Sequence, residues 1–131
     1  MKVIVVIPCL NGEKTIAGIV SKCLQYVDSV IVVDDQSTDS TTAEAMKAGA
    51  RVFLTTGDRG AGRATWVGIQ AALVKEANVV VTIDSDGQHN PDDIPRLLRY
   101  CSSWDVVIAS RFLDKSTTMP LYRKIGNWLI T

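Results

Sequence analysis

Two carboxylates one residue apart, Asp84 and Asp86, follow directly on the run Val79-Val80-Val81-Thr82-Ile83 and precede Gly87, Gln88 and His89. A β-branched run of this length reads as a buried parallel strand, whose end aims both acids past the edge of a sheet. There they present hard oxygen ligands of the kind Mg²⁺ and Mn²⁺ prefer. The Gln88 amide oxygen is a third donor from the same turn, so a divalent cation could be held against a phosphate. Asp and Gly are also ordinary turn residues, and a polar turn closing a strand is the plainer alternative. Two acids on one tight loop repel without a cation between them, which favours the metal site. His89, the only histidine, reads as a loop residue or a contact behind the ligands, since Gln88 is available as a donor.

Such a loop needs a sheet to hold it. Short runs rich in Val and Ile at residues 3–7, 29–34, 51–54, 79–84 and 105–110 have strand character. Between them, Ile16, Ile19, Val20, Cys23, Leu24 and Val27 form a one-sided stripe at helical spacing. A second helix opens on a possible capping box, Thr41-x-x-Glu44, and ends near Gly49. A third is expected over residues 61–77. A fourth starts with Asn90 as cap, Pro91 in the first turn and Asp92 and Asp93 at the positive end of the dipole, and buries Ile94, Leu97, Leu98 and Cys101. A last segment from Pro120 puts Leu121, Ile125 and Leu129 on one face. Strands alternating with helices imply parallel pairing through crossovers, hence an α/β layered domain.

In such a domain ligands bind beyond the carboxyl ends of the strands. The residues there are Pro8 to Asn11, Asp34 to Ser37, Thr55 to Gly60, Asp84 to Asp86, and Ser110 with Arg111. Helix N-termini point at the same edge, which suits a diphosphate.

Composition narrows the partners. A chain of 131 residues with 47% hydrophobic content is about one globular domain, without repeats or low-complexity segments. Fourteen basic and fourteen acidic residues cancel. That leaves no broad electrostatic footprint for nucleic acid or an anionic membrane, so any phosphate must be met locally. Cys9, Cys23 and Cys101 lack C-x-x-C spacing and read as reduced core thiols of a cytoplasmic protein. The apolar N-terminus ending at Pro8 suits a first strand better than a signal peptide, and no stretch reaches transmembrane length.

The segments VIPCLNGEKTI, VVDDQSTDST, AGARV, GDRGAGRA, VTIDSDGQHNPDDIP and VIASRF, in this order, resemble the N-terminal part of family 2 glycosyltransferases with the GT-A fold. The likeness is greatest to the dolichyl- and polyprenyl-phosphate sugar synthases. The resemblance implies a mostly parallel central sheet flanked by helices. It makes residues 1–131 the nucleotide-sugar-binding part of a longer catalytic domain. Pro8, Asn11 and Glu13 would line the nucleotide pocket and Asp35 would meet the base or ribose. Asp84, Ser85 and Asp86 would be the D-x-D motif, with Gln88 also reaching the metal. Arg111 would lie near sugar and phosphates, so that Asp86 and Arg111 carry catalysis, and Arg123 would add a second basic group. Gly12 stands where the family often has Glu, Gln36 where Gly is frequent, and Ala61 where Lys is usual, with Arg63 near enough to substitute. The implied donor is a GDP- or UDP-sugar, the cofactor Mg²⁺ or Mn²⁺, and the acceptor a lipid phosphate at the cytoplasmic face of a membrane. Any peripheral membrane contact would fall to sequence beyond residue 131.

The chemistry agrees with this on independent grounds. Sugar transfer builds negative charge on the departing diphosphate, which a cation at Asp84 and Asp86 would neutralise. A hydroxyl acceptor needs a general base, whereas a lipid monophosphate is already an anionic nucleophile; the chain has no obvious base. Two other readings stay open. VVTIDSDGQ also resembles the strand end of haloacid dehalogenase-type phosphatases, and a fragment could bind a nucleotide sugar without turnover. Trp66, Trp104 and Trp128 are expected to pack rather than to form a sugar platform. For Trp128-Leu129-Ile130, burial against following sequence is a better reading than a membrane interface. Gly60-Ala61-Gly62 is only half of a dinucleotide fingerprint.

Overall fold

Val3 to Ile7 and Val30 to Val33 offer no polar face, so strands built from them must be covered on both sides. The computed structural model describes residues 1–109. In it β1 (Val3–Cys9) and β2 (Ser29–Asp34) form the sheet centre, with β3 (Arg51–Leu54) beside β2 and β4 (Val79–Thr82) beside β1. All three pairings are parallel, with Val5 opposite Val30, Val33 opposite Phe53 and Val6 opposite Thr82. Residues 3–7 of β1 are buried throughout, as are residues 30–34 of β2.

Alternation divides these side chains between two cores. Val5, Ile7, Val30 and Val32 face α1 (Ile16–Cys23) and α2 (Thr41–Lys47), whereas Ile4, Val6, Ile31 and Val33 face α3 (Ala61–Val74). The chain steps from β1 through β2 to β3 with its helices on one face, then returns past β1 to β4 with α3 on the other. A uniform crossover hand requires this switch of face. α3 lies very close to the sheet, because Ala64, Gly68 and Ala72 are its buried residues. A Cβ at position 68 would stand 2.2 Å from Val6 Cγ1 and 3.0 Å from Val33 Cγ2, so any larger residue would push α3 outward.

The structure departs from the sequence reading at several points. α1 stops at Cys23, short of Val27, because the bonds from Gln25 N–H to Lys22 and from Tyr26 N–H to Cys23 tighten its end into 3₁₀ turns. α3 ends at Val74 rather than at residue 77. Thr41 forms no capping box. It is the first helical residue of α2, and the Asp39 carboxylate accepts from its backbone N–H instead. β4 is half-buried, since its far edge has no partner among the described residues. It stops at Thr82, leaving Asp84 in the loop. Asn90 caps as expected, accepting from Asp92 N–H at the start of the 3₁₀ turn Pro91–Asp93 that leads into α4 (Ile94–Leu98).

The strand expected over residues 105–110 is not formed over residues 105–109. An apolar run becomes a strand only by pairing with an edge, and Val106 and Ile108 remain exposed. Trp66 and Trp104 are exposed too, contrary to the packing role expected of them. On α3 the small residues take the buried stripe and Trp66 falls outside it. Arg111, Arg123, Trp128 and the segment from Pro120 lie outside the described residues.

Candidate active site

With strand order β3-β2-β1-β4, connections leave β1 toward β2 on one side while β4 returns on the other. The crevice beyond the carboxyl ends of β1 and β4 is therefore the topological switch point of the sheet. The loop of Asp84 and Asp86 opens directly onto it. Pro8 fits the end of β1 for a physical reason. Cys9 accepts from Asp35 N–H on the β2 side, so alternation turns the missing N–H of Pro8 toward β4, where the ladder has already ended.

The loops after β1 and β2 are tied into one network. Asn11 has a left-handed backbone, φ 51°. Its Oδ1 accepts from Thr38 N–H at 2.8 Å, and its own N–H donates to Ser37 Oγ at 2.8 Å. Glu13 Oε2 accepts from Ser40 N–H at 3.0 Å, at the start of α2, while Glu13 N–H donates to Asp39 Oδ2 at 3.2 Å. Gly12 N–H reaches Thr41 Oγ1 at 2.9 Å. The Thr41 hydroxyl donates to Asp39, and this bond more than any other holds the Asp39 carboxyl below the usual carboxylate range.

Asp34, the last residue of β2, and Asp35 just after it are both buried. Asp34 accepts from Ser37 N–H at 2.8 Å and from the Thr42 hydroxyl. Asp35 accepts from the Thr55 hydroxyl and, at 2.8 Å, from Gly60 N–H at the head of α3. These two bonds, the hydroxyl first, lower its pKa, with smaller help from Arg59 and Arg63. The next residue, Gln36, has φ 67°, which explains why glycine suits that position. Its side chain donates to Gly57 O at 2.8 Å and its carbonyl accepts from Arg59 Nη2 at 3.0 Å. Arg63 Nη1 donates to Asp58 O at 2.8 Å and the residue is exposed, so its charge lies in the loop after β3.

The loop after β4 is different. Asp84, Asp86 and Gln88 are exposed, and Ser85 is half-buried. Asp86 Oδ1 accepts from Gln88 N–H at 2.9 Å, closing a turn that passes through Gly87 at φ 76°. His89 is not remote from the acids. Its Nδ1 accepts from Asp84 N–H at 3.2 Å and its Nε2 lies 3.7 Å from Asp84 Oδ2. Accepting at Nδ1 leaves the ring proton on Nε2, on the side of that carboxylate.

Two further residues hold this loop from behind. Thr15 Oγ1 donates to Ser85 O at 2.6 Å, and the Cys9 thiol, pushed up in pKa chiefly by burial, lies against the Ser85 side chain. Thr15, Thr55 and Asp39 were not singled out by the sequence. Thr55 follows a strand end and carried a weak positional signal, whereas Thr15 and Asp39 fell within the family-like segments VIPCLNGEKTI and VVDDQSTDST without any role attached to them.

The donor set fits a hydrated hard cation. Among the described residues no three His, Cys, Asp or Glu side chains converge into a ready-made cage. Mg²⁺ does not need one, since it keeps several waters and is commonly held by one or two carboxylates together with substrate phosphates. Two exposed carboxylates on a short turn at a switch point meet that description.

A parallel α/β sheet carrying an acidic turn at its switch point is the layout of the GT-A class of glycosyltransferase folds. The family model "Glycosyl transferase family 2" matches residues 4–129, and the chain belongs to that family. It is 32% identical to the UDP-N-acetylglucosamine–dolichyl-phosphate N-acetylglucosaminyltransferase of Methanococcus voltae, over 93% of this chain and 57% of that protein. It is also 32% identical to the undecaprenyl-phosphate mannosyltransferase of Micrococcus luteus, over 98% of this chain and 56% of that one. Among solved structures, glucosyl-3-phosphoglycerate synthase from Mycobacterium tuberculosis superposes with a TM-score of 0.66 at 31% identity, covering 78% of this chain and 40% of that chain. The same synthase is known with Mn²⁺, UDP-glucose and phosphoglyceric acid bound. The chain thus spans about half the length of the curated relatives it matches. Family membership across residues 4–129 removes the ground for the phosphatase reading.

Proposed function

We propose that residues 1–131 form the donor-binding part of a metal-dependent, inverting glycosyltransferase. It would move a sugar from a GDP- or UDP-sugar to a polyprenyl or dolichyl phosphate. The observation that carries this reading is the Asp84-Ser85-Asp86 turn at the β1–β4 switch point, with both of its carboxylates exposed. The bound complex of the tuberculosis synthase supports a divalent cation with a nucleoside-diphosphate sugar, and the names of the two polyprenyl-type relatives support the lipid phosphate.

In this reading Asp84 and Asp86, with Gln88, hold Mg²⁺ or Mn²⁺, which when bound would stabilise the charge that builds on the departing diphosphate. Asp86 faces the reacting phosphates and His89 fixes the orientation of Asp84. Asp35 receives the base or ribose. Its two carboxylate oxygens already have one donor each, yet an ionised carboxylate has about four acceptor sites, so further bonds remain open to it. Pro8 walls the pocket at the end of β1, while Asn11 and Glu13 set the shape of its rim. Arg63, and beyond the described residues Arg111 and Arg123, supply positive charge to the phosphates. The acceptor phosphate is itself the nucleophile, so inversion at the anomeric carbon needs no protein base.

Among the described residues no helix is long and apolar enough to cross a membrane. A cytoplasmic location at the membrane face follows from the acceptor class and stands or falls with it. Calorimetric titration of GDP-, UDP- and their sugar conjugates, with and without Mn²⁺, tests the donor half. Binding that is indifferent to the cation would refute it. The alternative is a protein that binds a nucleotide sugar without turnover. A transfer assay with polyprenyl phosphate separates it from an active enzyme.

A further inference from the structure

Thr15 precedes the first residue of α1, the position at which a threonine normally accepts from an N–H of the first helical turn. Here it does not: the side chain makes no capping bond. Its hydroxyl lies 2.6 Å from Ser85 O and 3.3 Å from Gly12 O, and its single proton belongs to the shorter contact, seventy residues away in sequence. Ser85 is the residue between the two acids. The backbone beneath Asp84 and Asp86 is thus fastened to the start of α1, while Gly12 O is bonded by the N–H groups of Thr15 at 3.1 Å and Ile16 at 2.9 Å. The Gly12 turn itself is closely packed, since a Cβ there would stand 2.4 Å from Cys9 Sγ and 3.8 Å from Ser85 Cβ.

We propose that Thr15 is a positioning residue for the Asp84-Ser85-Asp86 turn, setting the direction in which the two carboxylates present themselves to a cation. This rests on the donor-site reading above. Thr15 touches neither cation nor sugar and acts through the carbonyl of Ser85. A side chain that gives up helix capping for a long-range bond, at the one carbonyl between two acids, has its effect on that turn rather than on α1. Glycine at position 12 serves the same arrangement, because it lets α1 begin close enough for the hydroxyl to reach.

Thr15→Val keeps the branched shape and removes the hydroxyl, and Thr15→Ser keeps the hydroxyl. Each is titrated with UDP and with GDP, with and without Mn²⁺, and the backbone amide shifts of residues 84–88 are recorded by NMR without ligand. Thr15→Val is expected to displace those shifts and to weaken Mn²⁺-dependent binding about ten- to a hundred-fold, the range for partners that orient metal ligands, with cation-free binding unchanged. Thr15→Ser should restore both. Undiminished Mn²⁺-dependent binding in Thr15→Val, or failure of Thr15→Ser to restore it, overturns the proposal. If the natural chain binds neither diphosphate in a cation-dependent way, the donor reading fails and the shifts alone decide. Displacement in Thr15→Val reversed in Thr15→Ser upholds the positioning role, and unchanged shifts overturn it. Should Thr15→Val not fold, Thr15→Ala carries the same comparison.

Discussion

The acids after β2 and the acids after β4 occupy the same edge of one sheet in opposite states. Asp34 and Asp35 are buried and Asp39 is engaged, and each accepts bonds from hydroxyl and backbone donors of its own chain. Asp84 and Asp86 are exposed and share their loop with one imidazole and one backbone amide. The first set answers its charge internally and makes a braced wall. The second keeps its charge turned outward, open to a ligand from solution. On the proposed donor reading, the first loop would give this edge its shape and the second its affinity.

The sharpest test of that division is to remove the outward charges. Asp84→Ala or Asp86→Ala should reduce Mn²⁺-dependent binding of a nucleoside diphosphate about a hundred-fold or more, roughly 2.8 kcal/mol. Thermal unfolding should hardly move, by about 0.5 kcal/mol at most, as for exposed positions without packing roles. Loss of stability comparable to the loss of binding would show that this turn is structural and would erase the contrast.

The converse substitution belongs on the braced side. Asp35→Asn keeps the shape but sets an amide N–H₂ against either the Thr55 hydroxyl or the Gly60 N–H. One buried donor then lacks a partner, a destabilisation of about 1–3 kcal/mol. Nucleotide binding should weaken as well, with its dependence on Mn²⁺ intact. Denaturant titration beside calorimetry separates the two effects, and unaltered stability would mean that the network around Asp35 is not a wall.

The same contrast explains what the sequence could and could not disclose. β2 and β3 run over the residues read from their Val and Ile content, and Asn90 caps where it should, because these depend on neighbours in the chain. The outward acids were legible too, since a D-x-D after an apolar run is a local pattern. Gln36 at φ 67° gives the glycine preference at that position a backbone cause. The braces were not legible. Thr15 meets Ser85 across seventy residues, and Thr55 meets Asp35 across twenty. Nothing in a threonine's surroundings announces a partner that far off. Thr41 misled for the same reason: its hydroxyl, suited to a capping box, is taken by Asp39 and Gly12. The run at residues 105–109 has strand composition without a strand, because pairing is a property of the sheet rather than of the segment.

Acid should distinguish the two sets by a smaller margin. The Asp35 carboxyl is lowered by the Thr55 hydroxyl and the Gly60 N–H, and that of Asp39 by the Thr41 hydroxyl. A depressed folded-state pKa gives stability that is fully present above the unfolded value of about 4 and is lost as pH falls through the folded value. Unfolding free energy should therefore decline below about pH 4, and Asp35→Asn should make that decline shallower. An acid limb unchanged in Asp35→Asn would remove Asp35 from the account.

The junction between the two regions carries its own probe, and the effect expected there is the smallest. Cys9 Sγ lies beneath the Gly12 turn on the braced side and against Ser85 on the open side, almost fully buried. Cys23, the last residue of α1, is buried with its thiol pushed up to about 11 by burial, and Cys101 is half-buried after α4. Thiolates, not thiols, react with alkylating agents, so burial slows Cys9 and Cys23 both by hiding the sulfur and by raising its pKa. In the native protein at pH 8, Cys101 should be labelled first, Cys9 more slowly and Cys23 only on global unfolding. If the open loop moves as a unit against a fixed wall, Cys9 is uncovered each time Ser85 swings away, and a bound cation with a nucleoside diphosphate should slow its labelling without altering that of Cys101. Site-resolved mass spectrometry reads all three. Labelling of Cys9 as slow as that of Cys23, and indifferent to ligand, would mean that the loop of Asp84 and Asp86 is as firmly seated as the wall it faces.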